Sequence, residues 1–320
     1  LGQGNIIITS SGIDLIINTT LNYGTSLVAS IIRNIYVTSN GHLSTSGGVN
    51  ISLTADRNNT GVGGVYVATG GTIVSGGSLT LVGSNLATLS GAGADATAGI
   101  DIAAGSTVTA SGAINISMNA GQTSNINING TVQTTGAQNI TVTPNAGTQV
   151  NLGGSIISVG GTINLAGPVV VSGTPTLNAG AGVINLNGNV TGSGTLALQN
   201  NTAASGAVNF NANVNLPSVT TFAQPYAVNF NGSTTTFSNA VTFNNTNGLG
   251  LGDNSADSVT FGGGITNTAS TTTINSTFGT TNDNITLAGV TLTGNTTITA
   301  GTGTIALGAI TGNFALNLSS

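Results

Sequence analysis

The chain has 320 residues and a formal net charge of −5, and 3% of its residues are charged, against about 25% in an ordinary soluble domain. With two arginines and no lysine it cannot neutralise a run of phosphates, which excludes nucleic-acid binding of the usual electrostatic kind. No apolar run reaches the roughly 18–20 residues of a membrane span. The 38% of hydrophobic residues separate it from disordered sequences, so we expect it to fold.

Short segments recur along the chain, each with an apolar residue at both ends and one residue between them. This period of two is typical of strands, whereas Gly, Asn and Thr interrupt every 3.6-residue stripe that a helix would need. The segments are 65–67, 79–81, 100–102, 114–116, 126–128, 140–142, 150–152, 163–165, 184–186, 208–210, 228–230, 259–261, 285–287 and 305–307.

Several of the segments from residue 163 onward are about 20–24 residues apart, which is a solenoid spacing. Stacked three-residue strands make a continuous parallel sheet, because each coil covers the apolar face of its neighbour. We therefore predict an all-β fold, a parallel β-helix (β-solenoid) with about 20–24 residues per coil; a sandwich or barrel is the competing architecture.

We expect residues 1–320 to form a single continuous segment of a longer chain. Two longer steps between the segments predict loop insertions near 244–258 and 262–284. Asn-Gly pairs at 40–41, 129–130, 187–188, 231–232 and 247–248 predict tight corners in which glycine supplies positive φ. Phe210 and Phe230 occupy equivalent positions 20 residues apart, which predicts an aromatic ladder inside the coil.

Three stretches, GVNISLTAD at 48–56, GTIVSGGSLTL at 71–81 and NDNITLAG at 282–289, resemble the repeats of filamentous-haemagglutinin-type exoproteins. Those are secreted bacterial proteins exported by two-partner secretion or as autotransporter-like passengers. The resemblance extends over the whole chain and implies a right-handed β-helix, an extracellular or cell-surface location, and roles in adhesion, aggregation or biofilm. The family's amino-terminal secretion domain typically carries an Asn-Pro motif, which is absent here, so we expect repeat shaft.

Further copies of the chain are expected as partners in a fibre, because a solenoid exposes a row of unpaired N–H and C=O groups at each end. The resemblance implies host or neighbouring cell surfaces and glycans as further partners. No membrane span and no nucleic acid are expected.

Carboxylates are the main candidates for chemistry. Glycoside hydrolysis needs two of them about 5–10 Å apart, and the close pairs in sequence are Asp95 with Asp101 and Asp253 with Asp257. The segment 253–257 also places oxygen ligands as a calcium loop begins, but it lacks the later Gly and Glu. We expect these aspartates in solvated turns, with Asp253 and Asp257 as the candidate metal ligands. No catalytic residue, cofactor site or enzymatic activity is predicted.

The remaining polar features are interpreted as surface. Asp56 and Arg57 are expected in an exposed turn, and His42 on the surface after Asn40-Gly41. The threonines at 271–273 and those at 297 and 299 suggest an ice-binding solenoid as an alternative. Such a face would need a Thr pair at the same place in every coil, and the sequence does not display that register. The predicted function is the structural or adhesive shaft of an exoprotein, and a polysaccharide-binding or polysaccharide-cleaving β-helix is the other alternative.

Overall fold

The structure is a computed structural model that describes residues 6–10, 14–85 and 98–320. All regular secondary structure in these residues is β-strand, and the strands stack in parallel as a β-solenoid of about 13 turns. The predicted solenoid is therefore confirmed. The chain divides into two compact units, Leu1–Gly167 (unit 1) and Pro168–Ser320 (unit 2).

Unit 1 contains nineteen described strands of three to five residues. They are β1 (Ile6–Ser10), β2 (Leu15–Ile17), β3 (Thr20–Tyr23), β4 (Leu27–Ile31), β5 (Ile35–Val37), β6 (His42–Thr45), β7 (Ile51–Thr54), β8 (Val65–Val67), β9 (Thr72–Ser75), β10 (Leu79–Gly83), β11 (Ile100–Ile102), β12 (Thr107–Ala110), β13 (Ile114–Met118), β14 (Ile126–Ile128), β15 (Thr131–Thr134), β16 (Ile140–Thr143), β17 (Val150–Leu152), β18 (Ser155–Ile157) and β19 (Ile163–Leu165).

These strands form three parallel sheets, because each strand pairs with the strand three places earlier in the chain. The first sheet runs β1-β4-β7-β10-β13-β16-β19, the second β2-β5-β8-β11-β14-β17, and the third β3-β6-β9-β12-β15-β18. Each coil therefore contributes one strand to each sheet, and the crossover between parallel neighbours is the rest of the coil.

Unit 2 contains twenty strands. They are β20 (Val169–Val171), β21 (Thr176–Asn178), β22 (Ile184–Leu186), β23 (Val190–Gly192), β24 (Thr195–Leu198), β25 (Val208–Phe210), β26 (Val214–Leu216), β27 (Ser218–Thr221), β28 (Val228–Phe230), β29 (Thr234–Phe237), β30 (Val241–Phe243), β31 (Leu249–Leu251), β32 (Ser258–Phe261), β33 (Ile265–Asn267), β34 (Thr272–Ile274), β35 (Thr277–Thr280), β36 (Ile285–Leu292), β37 (Thr296–Thr299), β38 (Ile305–Thr311) and β39 (Leu316–Ser319).

The same three-sheet order continues into unit 2, but the third sheet ends at β27; β30 and β33 pair with each other and join the first sheet through β36. The first sheet runs β22-β25-β28-β31-β34, the second runs β20-β23-β26-β29-β32-β35-β37-β39, and β21-β24-β27 belong to the third. Strand β36 turns a corner without a break: Ile285 pairs with Ile265 of β33, and Val290 pairs with Thr272 of β34. Strand β38 then pairs along β36, 20 residues later.

The interior of unit 1 consists of aliphatic rows in which identical positions of successive coils lie in register. Each strand alternates inward and outward side chains, so one inward residue per rung stacks on the next. Full burial of such a side chain stabilises the fold by about 1.5–3 kcal/mol. One row of the first sheet is Leu27, Ile51, Leu79, Ile114, Ile140 and Ile163.

Aromatic rings fill much of the interior of unit 2. Phe210 and Phe230 stack with ring centroids 4.8 Å apart, which confirms the predicted ladder. Phe237 and Phe261 stack at 5.2 Å on the second sheet, and Phe278 meets the edge of Phe261 at 5.9 Å. Such pairs contribute about 0.5–1.5 kcal/mol beyond the area they bury.

The ranges in which insertions are predicted, 244–258 and 262–284, contain strands. Strand β31 lies in the first range, and β33, β34 and β35 lie in the second. The longer steps arise because the recurring segment is not confined to one sheet: 228–230 lies in the first sheet and 259–261 in the second. All three sheets require the same inward–outward–inward pattern, so the pattern alone does not say to which sheet a segment belongs.

Glycine at the Asn-Gly corners serves two different purposes. Gly248 has a positive φ of 112°, as predicted. Gly130 and Gly232 do not; a Cβ at Gly130 would lie 2.5 Å from the backbone O of Ala103, and one at Gly232 2.3 Å from that of Ala212. These two glycines are required because stacked corners bring backbones into close contact.

Candidate functional site

Outward-facing asparagines on the first sheet of unit 2 form a hydrogen-bonded ladder across successive coils. Asn209 on β25 donates from Nδ2 to Oδ1 of Asn185 on β22 at 3.0 Å. Asn229 on β28 donates to Oδ1 of Asn209 at 2.9 Å. The ladder forms because paired positions of neighbouring strands bring like side chains into contact.

A second ladder follows the ends of the same strands. Asn211 donates to Asn187 at 2.9 Å, and Asn231 donates to Asn211 at 3.0 Å. Asn211 uses its amide both as donor and as acceptor, and this dual capacity suits asparagine to such a column. The two ladders give this surface neighbouring columns of neutral amides.

Both columns are interrupted at strand β31, and the interruption makes a groove. Gly250 is the register partner of Asn229, and a Cβ at Gly250 would lie 2.8 Å from Oδ1 of Asn229. Gly252, at the end of β31, has a positive φ of 78°. The groove has a volume of about 480 Å³ and is lined by Ala227, Asn229, Asn231, Asn247, Gly248, Leu249, Gly250, Gly252, Asp253, Thr273, Asn275 and Thr293.

The aspartate pair singled out in the sequence stands at the edge of this groove. Asp253 is exposed and lines it, whereas Asp257 is 5% exposed and accepts the backbone N–H groups of Asp253 and Asn254 at 3.0 and 2.9 Å. Partial desolvation at the groove edge raises the pKa of Asp253, and the nearby Asp257 charge raises it further. The expectation of a solvated turn is thus right for Asp253 and wrong for Asp257, which closes the turn.

The other predicted sites are dispersed. Asp95 lies outside the described residues. Asp101 is not in a turn but in β11, 3% exposed and in register with Tyr66 and Asn127. His42 is exposed, with Nδ1 2.8 Å from Oγ1 of Thr72. Within the described ranges there is no group of three or more His, Cys, Asp or Glu that could hold a metal ion.

Asp56 was expected in an exposed turn, and the structure buries it at 1% exposure. Its carboxylate accepts hydrogen bonds from Oγ of Ser84 at 2.6 Å, from N–H and Oγ1 of Thr60 at 2.8 and 3.0 Å, and from N–H of Gly61 at 2.9 Å. Burial pushes the pKa of Asp56 up, but these donors outweigh it, so the pKa lies below its ordinary value. The residue organises the corner at a positive φ of 51°.

A regular array of hydroxyl groups is the feature that sequence reasoning missed. On the second sheet of unit 2, Thr234 pairs with Ser258, Ser258 with Thr277, and Thr277 with Thr297. A hydroxyl register is therefore present across four coils, although it is not the Thr pair in every coil that the ice-binding alternative requires, because Ser258 and Gly279 replace threonine on β32 and β35. The steps between the paired residues vary from 19 to 24, so a search at constant spacing does not find it.

Neither family models nor curated proteins nor solved structures yield a match to this chain. No helix suited to crossing a membrane occurs in the part of the chain that the structure describes.

Proposed function

We propose that this chain is the repeat shaft of a secreted bacterial surface adhesin or extracellular filament, acting in adhesion, aggregation or a biofilm matrix. The proposal rests on the sequence resemblance together with one structural observation, the side-chain columns that connect coil to coil on the outer surface. A shaft requires a shape that extends by repetition and a surface that contacts other surfaces without catalysis.

The amide ladders are the observation that carries this proposal. In each ladder the later coil donates to the preceding one at 2.9–3.0 Å, in addition to the backbone bonds of the parallel sheet. A stack of coils is stabilised by the sum of its neighbour contacts, so every added column strengthens each junction. From β22 to β28 the outer surface presents two amides at each coil, until Gly250 and Gly252 interrupt both columns at β31.

The near absence of charge also supports an adhesive surface. Neutral amides and hydroxyls bind partners through many weak hydrogen bonds, and their summed strength depends little on salt because screening acts on charges. We therefore expect attachment that persists in high salt and grows with the number of engaged coils.

Adhesion of coated beads tests the proposal. Inert beads carrying the chain through its amino terminus are passed over layers of bacteria or epithelial cells, and retention is measured under flow at low and high salt. Retention that increases with coating density and persists at high salt is the expected result. Beads carrying denatured chain are the control, and equal retention of the two kinds of bead would contradict the proposal.

Polysaccharide binding is a second candidate function, favoured by the groove at Gly250. Amides of Asn229 and Asn231 and the carboxylate of Asp253 converge there, and these groups hydrogen-bond well with sugar hydroxyls.

The variant Asn231→Ala with Asp253→Asn tests this second candidate, and Thr220→Ala with Thr242→Ala is the matched control on exposed outward positions. Affinity electrophoresis in gels containing soluble polysaccharides should retard the wild type and the control but not the groove variant. Equal mobility of all three in every gel would rule out the groove as a glycan site.

A further inference from the structure

The hydroxyl-bearing positions of β29, β32, β35 and β37 form two parallel files on the second sheet of unit 2. The first file consists of the first outward-facing residue of each strand. The second file consists of the residue two positions later in the same strand. The first file is Thr234, Ser258, Thr277 and Thr297, and the second is Thr236, Thr260, Gly279 and Thr299. We call this surface the hydroxyl face.

The spacing of the hydroxyl face follows from sheet geometry. Neighbouring strands are about 4.8 Å apart, and residues two apart on one strand are about 6.7 Å apart. The array is therefore a rectangular grid in which seven of eight positions carry a hydroxyl. The exception is Gly279, where a Cβ would lie 2.7 Å from the backbone O of Thr299.

The hydroxyl groups of this face are available to a partner. Thr234, Ser258 and Thr277 are exposed, and Thr236 and Thr260 are half-buried. In the part of the chain that the structure describes, no other side chain or backbone group forms a hydrogen bond with these hydroxyls. Because threonine is branched at Cβ, its side chain has few rotamers and holds the hydroxyl and methyl groups in place.

The residues between the two files point inward and pack in the core. Their packing holds the face rigid and keeps their side chains off it. Val259, Phe278 and Ile298 alternate with the outward residues and are buried. Phe237 and Phe261 also lie in the interior, where they stack on each other. The face therefore presents no aromatic ring and no charged group.

We infer that the hydroxyl face binds the surface of ice. A rigid grid of hydroxyls and methyls, repeated in two directions, matches a partner that is itself a lattice and that offers only water as hydrogen-bonding group. Crystalline polysaccharide is also periodic, but sugar rings pack their apolar faces on aromatic side chains, and every aromatic ring of these strands points inward.

Partition into growing ice provides the direct test. Chain labelled at its amino terminus is stirred while ice grows slowly from the solution, and the labelled fraction in the ice is compared with that in the liquid. Hysteresis between melting and freezing is measured on the same samples. We expect enrichment in the ice and a measurable hysteresis.

The decisive variant is Thr236→Tyr with Thr260→Tyr, which places two rings on neighbouring rungs of the face. The fold accepts such a pair, because Tyr36 and Tyr66 already stack on neighbouring rungs of unit 1 at 5.0 Å. The variant should lose enrichment and hysteresis to the level of an inert protein. A second variant, Thr220→Tyr with Thr242→Tyr, alters exposed positions away from the face and should retain both.

Circular dichroism and a melting curve establish that both variants are folded. The inference is overturned if the wild type is excluded from ice, if the Thr236 and Thr260 variant partitions as the wild type does, or if the wild type binds crystalline cellulose or chitin but not ice.

Discussion

Replacement of Thr235 by valine should make the protein more stable, although most substitutions of buried residues destabilise. Thr235 lies in β29 between the outward Thr234 and Thr236, and it is fully buried. Its Oγ1 has no hydrogen-bond partner in the described structure. Its register neighbours on both sides are valines, Val214 and Val259.

The expected gain follows from that environment. A buried hydroxyl without a partner costs about 1–3 kcal/mol in lost hydration. Valine has nearly the shape of threonine, so it creates no cavity, and it completes an apolar row. We expect Thr235→Val to raise the free energy of unfolding by about 1–2 kcal/mol, which is about a 5–30-fold change in the ratio of folded to unfolded protein.

Denaturant unfolding followed by circular dichroism measures this gain as a higher midpoint. Thr236→Val is the matched control, because it makes the same change one residue away on the outer surface, and it should alter stability by no more than about 0.5 kcal/mol. An unchanged or lower midpoint for Thr235→Val, or an equal gain for Thr236→Val, would refute the reasoning.

Three further predictions concern polar groups. Asp56→Asn should cost about 1.5–3 kcal/mol at neutral pH, measured as a lower unfolding midpoint. Because the pKa of Asp56 is below its ordinary value of 3.8, its stabilisation is complete above that value and is lost as pH falls through the lowered pKa, so the difference between wild type and variant should shrink in acid. Tyr226→Phe should cost about 1–3 kcal/mol, because it leaves the Leu198 carbonyl and the Phe222 N–H without their partner. Asn209→Ala should cost about 1–2 kcal/mol by removing two ladder bonds.

Each of these three predictions has its own control. Burial raises the pKa of Tyr226 to about 12, so its ionisation in an ultraviolet titration near that pH checks that the ring is as buried as the structure has it. Tyr23→Phe should be nearly neutral, since no hydrogen bond of its hydroxyl is present among the described residues. Thr242→Ala serves as the control for Asn209→Ala. A constant Asp56→Asn effect from neutral pH to acid would contradict the carboxylate argument.

The strands could be predicted from sequence because the alternation is local. Every one of the fourteen recurring segments lies within a strand, from 65–67 in β8 to 305–307 in β38. The stack of Phe210 on Phe230 could be predicted as well, because a 20-residue step happened to separate neighbouring rungs of one sheet. Both predictions needed only the side-chain period and a single repeat length.

The assignment of segments to sheets could not be predicted. Positions 228–230 and 259–261 carry the same pattern but lie in different sheets, and treating them as one column produced insertions that the structure does not contain. The sheet to which a segment belongs depends on the lengths of the corners between strands, and these lengths vary from coil to coil. For the same reason the hydroxyl face was invisible: its rows depend on which residues are paired, not on how many threonines the sequence contains.

The burial of aspartates could not be predicted from the sequence either, and the cause lies in the local hydrogen bonds of each carboxylate. In a chain with so few charges we expect Asp56, Asp101 and Asp257 to face water, where ionisation is cheap. Asp56 is buried because Thr60 and Gly61, four and five residues on, and Ser84 from another coil supply enough donors to hold the charge. The first two donors were visible in the sequence as a turn, but the third required the coil register.

The surface of this protein is periodic because its interior is. Inward positions must stack to bury their apolar groups, and that requirement fixes the spacing of the outward positions as well, whatever residues occupy them. Selection for any repeated outer residue therefore produces a column without further adjustment of the fold: amides on the first sheet of unit 2, hydroxyls on its second sheet.

A partner that binds one rung obtains little binding free energy, since a single neutral hydrogen bond contributes only about 0.5–1.5 kcal/mol. A partner that engages many rungs at once gains from all of them, because later contacts are intramolecular. We therefore expect such a surface to favour extended or repetitive partners over small ones, with an affinity that rises steeply with the number of coils that remain folded.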